Sequence, residues 1–142
     1  MKITKYGLRI RTGLLACGLS ALIGCGGPKT VPVSGTATLD GKPLNRGIVF
    51  FNPDASKGNN ARLACRGSIG GGGQYELYTE DVSKVYKGCP VGWYKVTLVP
   101  LVPGNDTPIP VHPKYTDTEQ TPLVIEVVDQ PEPGHYDLKF TK

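Results

Sequence analysis

Glycine and proline interrupt this chain at intervals of about eight to twelve residues from Val31 onward, which leaves no room for a long helix. The 142 residues include 19 glycines and 13 prolines, and a proline inside a helix breaks its hydrogen bonding. Short runs of β-branched and aromatic residues lie between the interruptions. This pattern is typical of an all-β sandwich or barrel.

Seven of these runs are predicted to form strands of a small two-sheet core. The predicted strands are residues 31–39, 46–53, 61–68, 74–80, 92–99, 122–129 and 134–141. Asp-Gly at residues 40–41 predicts a tight hairpin turn, and the glycines at residues 70–73 predict a hairpin between the third and fourth strands. We expect the last two strands to pair with each other. Because side chains alternate along a strand, Tyr136, Leu138 and Phe140 should point into the core together.

The first 24 residues have the composition of a cleaved secretory signal helix. Four basic residues and no acidic ones precede an uncharged, mostly apolar run at residues 12–24. As a helix this run is about 20 Å long, which is short of the ~30 Å hydrocarbon layer of a bilayer. A basic start, a short apolar run and an exit of small residues indicate a signal peptide. The alternative is a buried N-terminal helix, for which only Thr12 and Ser20 could supply a polar face.

The sequence LIGC at residues 22–25 resembles the bacterial lipobox. The resemblance implies cleavage before Cys25, transfer of a diacylglyceryl group to its thiol, and anchoring on the periplasmic or cell-surface side of a bacterial membrane. The alternative is ordinary signal cleavage with release of the protein. Residues 25–30 then form a tether that spans at most about 20 Å, and residues 31–142 form a single domain.

The basic character of the chain belongs to this leader. Residues 1–24 contain four of the 16 basic residues and none of the 12 acidic ones, so the remaining chain is neutral. It has no basic patch or run of like charges. Nucleic acid is therefore excluded as the expected partner.

Two cysteines remain after Cys17 leaves with the signal and Cys25 is acylated. In an exported domain, Cys65 and Cys89 are predicted to form one disulfide. Two free buried thiols, or half of a metal site, are the alternatives. A zinc site needs four ligands, and neither a C-x-x-C motif nor clustered histidines accompany this pair.

Four segments of the chain together resemble bacterial lipoproteins with a carboxypeptidase regulatory-like, transthyretin-like domain. They are VPVSGTATLDGKPLNRGIVFFNPD, PVGWYKVTL, IPVHPKYTDTEQTPLVIEV and YDLKF. The resemblance covers Val31 to Phe140. It departs at SIGGGGQYEL, where the family usually has an acidic turn. It implies an immunoglobulin-like Greek-key sandwich of about seven strands and says little about activity.

The enzyme alternatives rest on His112 and His135 and on the neighbouring Tyr115 and Tyr136. Intradiol dioxygenases, which resemble this fold, hold iron with two tyrosines and two histidines, but their histidine spacing is missing here. A small hydrolase or a metal-dependent enzyme is therefore the second hypothesis. No G-x-S-x-G motif is present. A small-molecule carrier, with an apolar pocket between the sheets, is the third hypothesis.

The segment of residues 100–120 is long for a connection in a compact domain, and such segments are often functional. Together with Trp93, its residues His112 and Tyr115 could form an interaction surface. The alternative is that Tyr115 and Ile109 fill the core. The leading hypothesis is a non-enzymatic, lipid-anchored envelope module without a cofactor, which has an interaction or structural role toward a protein or a glycan.

Replacement of Cys25 by serine tests the anchor. The Cys25→Ser protein has no thiol to acylate, so we expect it to move from the membrane fraction to the soluble fraction. Fractionation with immunoblotting measures this change, and Cys17→Ser is the matched control that should stay in the membrane fraction. Retention of Cys25→Ser in the membrane would contradict the anchor.

Overall fold

The computed structural model describes residues 26–100, 104 and 107–142, which are mostly β. The predicted signal, Cys17, Cys25 and part of the 100–120 segment lie outside the described residues. The described chain contains two short 3₁₀ helices, Ala55–Lys57 and Pro113–Thr116, and no α-helix. Among the described residues, no helix has the length and apolar character needed to cross a bilayer.

Ten strands occur in the described residues. They are β1 (Ser34–Leu39), β2 (Lys42–Pro43), β3 (Ile48–Pro53), β4 (Cys65–Ser68), β5 (Gln74–Glu76), β6 (Tyr78–Asp81), β7 (Lys84–Lys87), β8 (Gly92–Val99), β9 (Val124–Val127) and β10 (Leu138–Phe140). Six of them form an antiparallel sheet in the order β7-β6-β4-β3-β8-β9. In the four-stranded sheet, β1 pairs in parallel with β10 and antiparallel with β2 and β5.

The predicted strand 74–80 is divided between the two sheets at Leu77. Its first part, β5, pairs with β1, and its second part, β6, pairs with β4. The Leu77 side chain is fully buried, its N–H donates to the Val33 carbonyl at 2.9 Å, and its carbonyl accepts from the Gly88 N–H at 2.7 Å. The expected hairpin with 61–68 therefore forms only through β6.

The predicted pairing of the last two strands is wrong. β9 lies beside β8 in the six-stranded sheet, whereas β10 lies beside β1 in the other sheet. The edge strand β7 was not predicted. Its sequence, KVYK, is mostly exposed and has no alternating apolar pattern.

Side chains from both sheets form one core. The ring of Phe51 on β3 lies 6.1 Å from that of Tyr94 on β8 and 6.3 Å from that of Tyr75 on β5, between ring centroids. The expected inward positions in the last strand are confirmed, since Tyr136, Leu138 and Phe140 are all buried. Full burial of side chains of this size stabilises the fold by about 1.5–3 kcal/mol each.

The hairpin predicted at Asp-Gly is confirmed. Asp40 and Gly41 connect β1 and β2 with φ angles of 49° and 80°. Positive φ at both positions is the mark of a type I′ turn, whose twist matches that of the flanking strands. The Asp40 N–H also donates to the Phe140 carbonyl at 3.0 Å, which ties this turn to β10.

The predicted disulfide is confirmed. It joins Cys65 at the start of β4 to Cys89 after β7, with the two Cα atoms 5.8 Å apart. Both residues are completely buried. The cross-link therefore connects an inner strand of the six-stranded sheet to the segment that follows its edge strand.

Removal of this cross-link should destabilise the domain. The double variant Cys65→Ala, Cys89→Ala is expected to lower the free energy of unfolding by about 3 kcal/mol, because the unfolded chain regains the entropy of the open loop. Urea denaturation followed by circular dichroism measures the difference. Wild type in reducing agent is the control and should lose stability similarly. Two free thiols at these positions in the denatured, unreduced mature domain would contradict the assignment.

Candidate interaction groove

An open groove of about 830 Å³ lies beside the point where the chain changes sheets. Residues of β1, β5 and β4 line it together with residues of the β6–β7 hairpin. Nine of the fourteen lining residues carry hydroxyl, amide, carboxylate or guanidinium groups: Ser34, Thr36, Arg66, Ser68, Gln74, Tyr75, Glu76, Tyr78 and Glu80. The groove therefore presents hydrogen-bonding groups from both sheets.

Two glycines allow the backbones beneath the groove to approach closely. A Cβ at Gly67 would overlap the Glu76 carbonyl oxygen, and a Cβ at Gly35 would overlap the Tyr136 carbonyl oxygen. Both glycines line the groove. Only residues without a side chain fit these positions. Gly67 brings β4 of the six-stranded sheet against β5 of the other sheet, and Gly35 brings β1 against the segment before β10.

Two ion pairs lie beside the groove, one within the six-stranded sheet and one between β5 and β7 of the two sheets. Arg66 Nη2 lies 2.6 Å from Glu80 Oε1, and Lys87 Nζ lies 3.1 Å from Glu76 Oε1. These side chains are about half exposed, so each pair contributes little to stability. They place a carboxylate beside a cation at two points near the groove.

The ring of Tyr78 lies between these pairs. Tyr78 is opposite Arg66 on β4 and opposite Lys87 on β7, and its hydroxyl donates to Glu76 Oε2 at 3.1 Å. The side chain is 37% exposed. A half-exposed aromatic ring with its hydroxyl already oriented is therefore part of the groove wall.

Hydrogen bonding sets the charge state of this wall. The hydrogen bond from Lys87, and next that from Tyr78, lowers the pKa of the Glu76 carboxyl below its usual range. The same contact with Glu76 raises the pKa of the Lys87 ammonium. Both groups are therefore charged at neutral pH.

The floor contains a buried phenol with a structural role. The Tyr75 hydroxyl donates to the Tyr136 carbonyl, and burial, with Asp137 and Tyr136 as smaller causes, raises the pKa of Tyr75 far above its usual value. Asp137 Oδ1 accepts from the N–H and the hydroxyl of Thr36 at 2.9 and 2.8 Å. These contacts attach β1 to the segment before β10.

The three residues predicted for an interaction surface lie outside this groove. The ring of Trp93 is half-buried, with Lys57 Nζ 4.3 Å from its centroid. His112 is exposed, and its Nδ1 accepts from the Lys114 N–H at 3.2 Å at the start of the second 3₁₀ helix. The structure does not bring the three together on one open surface.

Tyr115 belongs to the core. It is 4% exposed, and its ring meets the ring of Phe140 edge-on at 5.2 Å. Ile109 is buried as well. The interpretation of Tyr115 as a surface contact is therefore wrong, and the alternative, in which Tyr115 and Ile109 fill the core, is confirmed for the described part of the segment.

Two residues of the enzyme hypothesis, His135 and Tyr136, have partners within the described part of the chain. His135 Nε2 lies 2.7 Å from the Glu126 carbonyl oxygen, and its ring meets that of Tyr136 edge-on at 4.8 Å. The Tyr136 hydroxyl accepts from the Val128 N–H at 3.1 Å. Over residues 26–100, 104 and 107–142, no group of three or more His, Cys, Asp or Glu residues could hold a metal ion.

Comparisons with protein-family models, with curated proteins and with solved structures found no match to this chain. The resemblance to carboxypeptidase regulatory-like lipoproteins therefore stays a prediction.

The residues of the groove were not predicted from the sequence. A partial signal is present, because Arg66, Ser68, Glu76, Tyr78 and Glu80 are polar residues that alternate with buried ones. Alternation gives the outward face of each strand, but it does not give the strand that lies next to it. The division of residues 74–80 between two sheets, which creates the groove, has no such signal.

The Glu76–Lys87 contact predicts a pH effect. In Lys87→Met the pKa of Glu76 should rise toward its usual value, because the cation that favours the carboxylate is gone. Carboxyl ¹³C shifts recorded across a pH titration measure this change. The pKa of Glu76 is lower in the folded state than in the unfolded state. The ionised Glu76 carboxylate therefore stabilises the folded domain above the unfolded-state pKa, and this contribution is lost as the pH falls through the folded-state pKa.

Lys84→Met is the matched control for this titration. Lys84 is an exposed lysine of the same strand and has no ion pair within the described part of the chain. Its replacement should leave the Glu76 titration unchanged. Equal Glu76 titration curves for wild type and Lys87→Met would contradict the assignment of the lowered Glu76 pKa to Lys87.

Proposed function

We propose that this chain is a non-enzymatic, lipid-anchored interaction module of the bacterial cell envelope, whose groove binds an envelope glycan. Residues 1–24 are the cleaved signal, Cys25 carries the lipid, and residues 31–142 are the binding domain. We also propose that its two sheets are those of an immunoglobulin-like, transthyretin-like Greek-key sandwich of the carboxypeptidase regulatory-like kind.

The groove is the observation that carries this proposal. Its wall combines the half-exposed ring of Tyr78 with the charged groups of Arg66, Glu76 and Glu80 and with the hydroxyl and amide groups of Ser34 and Gln74. Sugar hydroxyls donate and accept hydrogen bonds, so they match a wall that supplies carboxylate acceptors and cationic donors side by side. The ring adds one apolar face for the carbon skeleton of a sugar. Because the groove is open, a polymer can lie along it.

A glycan fits this surface better than a protein does. The buried centre of a protein interface is depleted of charged residues. Here Arg66, Glu76, Glu80 and Lys87 surround the only half-exposed ring of the wall, and a protein partner would have to desolvate both ion pairs. A glycan can instead hydrogen-bond to them while water remains in the groove.

Export is supported by two independent features. The disulfide between Cys65 and Cys89 is of the kind that persists in an oxidising compartment such as the bacterial periplasm. The LIGC motif ends in a cysteine at the boundary of the apolar leader. Both features fit a domain that works outside the cytoplasm.

The charge state of the groove favours binding over glycan hydrolysis. A glycosidase needs one carboxyl group with a raised pKa to act as the general acid. The pKa of Glu76 is lowered instead, and Glu80 is paired with Arg66 at 2.6 Å. We therefore assign the two carboxylates as hydrogen-bond acceptors for the ligand.

Removal of the Tyr78 ring tests the groove. Tyr78→Ala should weaken the binding of envelope polysaccharide fragments by about tenfold, because one aromatic contact with the sugar is lost. Calorimetric titration with fragments released from the source cells measures the affinity. Mapping of amide chemical shifts shows which residues the fragments touch.

Val124→Ala is the matched control, because Val124 is 36% exposed on the opposite edge strand, β9. It should bind like wild type. Equal weakening by the two substitutions, or shifts confined to residues outside the groove, would contradict the proposal. A purified envelope protein that binds at Tyr78 in place of the fragments would identify a protein as the partner.

A further inference from the structure

The chain that connects Cys25 to the first strand lies against β7 and the residues that follow it. Thr30 Oγ1 donates to the Lys87 carbonyl at 2.9 Å. Val31 and Cys89 exchange two backbone hydrogen bonds, both of 2.9 Å. The first fixed contacts of the tether are therefore with one edge of the six-stranded sheet.

The contact continues toward Cys25 as far as Gly27. A Cβ at Gly27 would overlap the hydroxyl and the ring of Tyr86, so the Gly27 backbone lies directly on that ring. At Gly26, by contrast, a Cβ would meet nothing within 4 Å. The chain leaves the surface of the domain between these two glycines.

The length that remains free is very short. Cys25 and Gly27 are two residues apart, which corresponds to about 7 Å of extended chain. If Cys25 carries acyl chains in a bilayer, the ring of Tyr86 is held within about this distance of the acylated residue. The edge strand β7 must then lie at the membrane surface.

We propose that β7 and the β6–β7 turn are the membrane-facing side of the domain and contact lipid headgroups. This inference rests on the proposed acylation of Cys25. The edge of the domain that touches the lipid sets the orientation of the domain on the membrane.

The exposed chemistry of this side suits a lipid surface. Val82, in the turn between β6 and β7, is fully exposed at 103%. Lys29 and Lys84 are exposed and have no ion pair among the described residues. Lysines attract anionic headgroups, and the amphipathic ring of Tyr86 is of the type enriched at membrane interfaces.

The carboxylates near this edge all have hydrogen-bond or ion-pair partners. Glu76 pairs with Lys87, Glu80 pairs with Arg66, and the Asp81 carboxylate accepts from the Val82 N–H at 2.7 Å. Lys29 and Lys84, which have no ion pair among the described residues, outnumber the still charged Asp81 carboxylate, so this edge keeps a small excess of positive charge for the headgroups.

The opposite edge of the same sheet provides an internal reference. Val124 lies on β9, five strands away from β7. At about 4.8 Å per strand, the two edges are roughly 24 Å apart. A probe on β9 should therefore remain in water when β7 touches the lipid.

Tryptophan fluorescence in vesicles with brominated lipids tests the orientation. Trp93 is the only tryptophan of the chain, so Trp93→Phe gives a background to which Val82→Trp or Val124→Trp is added. The full acylated lipoprotein is reconstituted into phosphatidylcholine–phosphatidylglycerol vesicles with or without brominated acyl chains. We expect about twofold quenching at position 82 and none at position 124.

Gly27→Ala and its matched control, Gly26→Ala, test the role of the tether. A methyl group at position 27 cannot occupy the present contact, so the tether and the Tyr86 ring must separate, and quenching at position 82 should fall by at least half. Gly26→Ala should leave it unchanged. Equal effects of the two substitutions would overturn the docked tether.

The failure of this inference can be distinguished from the failure of the anchor. Quenching at position 124, or equal quenching at both positions, in protein whose acylation is verified by mass spectrometry overturns the orientation alone. An unacylated Cys25, with protein that does not float with the vesicles, overturns the proposed anchor and the orientation with it.

Discussion

The passage of the backbone through Leu77, between the two sheets, is the constraint on which the rest of the structure depends. Its N–H is bonded to Val33, which follows the tether, and its carbonyl is bonded to Gly88, which precedes the disulfide. The side chain is fully buried. One residue therefore links the N-terminal entry of the chain, the disulfide and the seam beside which the groove opens. In a buried position, each of these backbone groups needs its partner.

The local features of the fold could be predicted from the sequence, because they depend on short-range chemistry. The turn at Asp40–Gly41 follows from residues that tolerate positive φ. The inward direction of Tyr136, Leu138 and Phe140 follows from the period of a strand. The disulfide followed from elimination, since two cysteines remained for an exported domain.

Strand neighbours could not be predicted in the same way. The pairing of β10 with β1 joins Leu138 to Ala37, and nothing in either segment identifies the other. The split of residues 74–80 also depends on tertiary contacts, since Leu77 continues the alternation without a glycine or proline to mark a boundary. The groove depends on both of these long-range contacts, the β1–β10 pairing and the split of residues 74–80. From the sequence, Tyr115 fitted either a surface contact or the core, and the structure places it in the core.

The parallel pairing of the first and last strands has a consequence for the order in which the chain folds. Ala37 and Leu138 are partners although about one hundred residues separate them, and such distant contacts slow folding because a long loop must close first. The four-stranded sheet is therefore incomplete until the end of the polypeptide has emerged. If Cys25 is acylated as proposed, a chain exported from its N-terminus would be held at the bilayer while β10 is still to close this sheet, so folding would finish on the membrane surface.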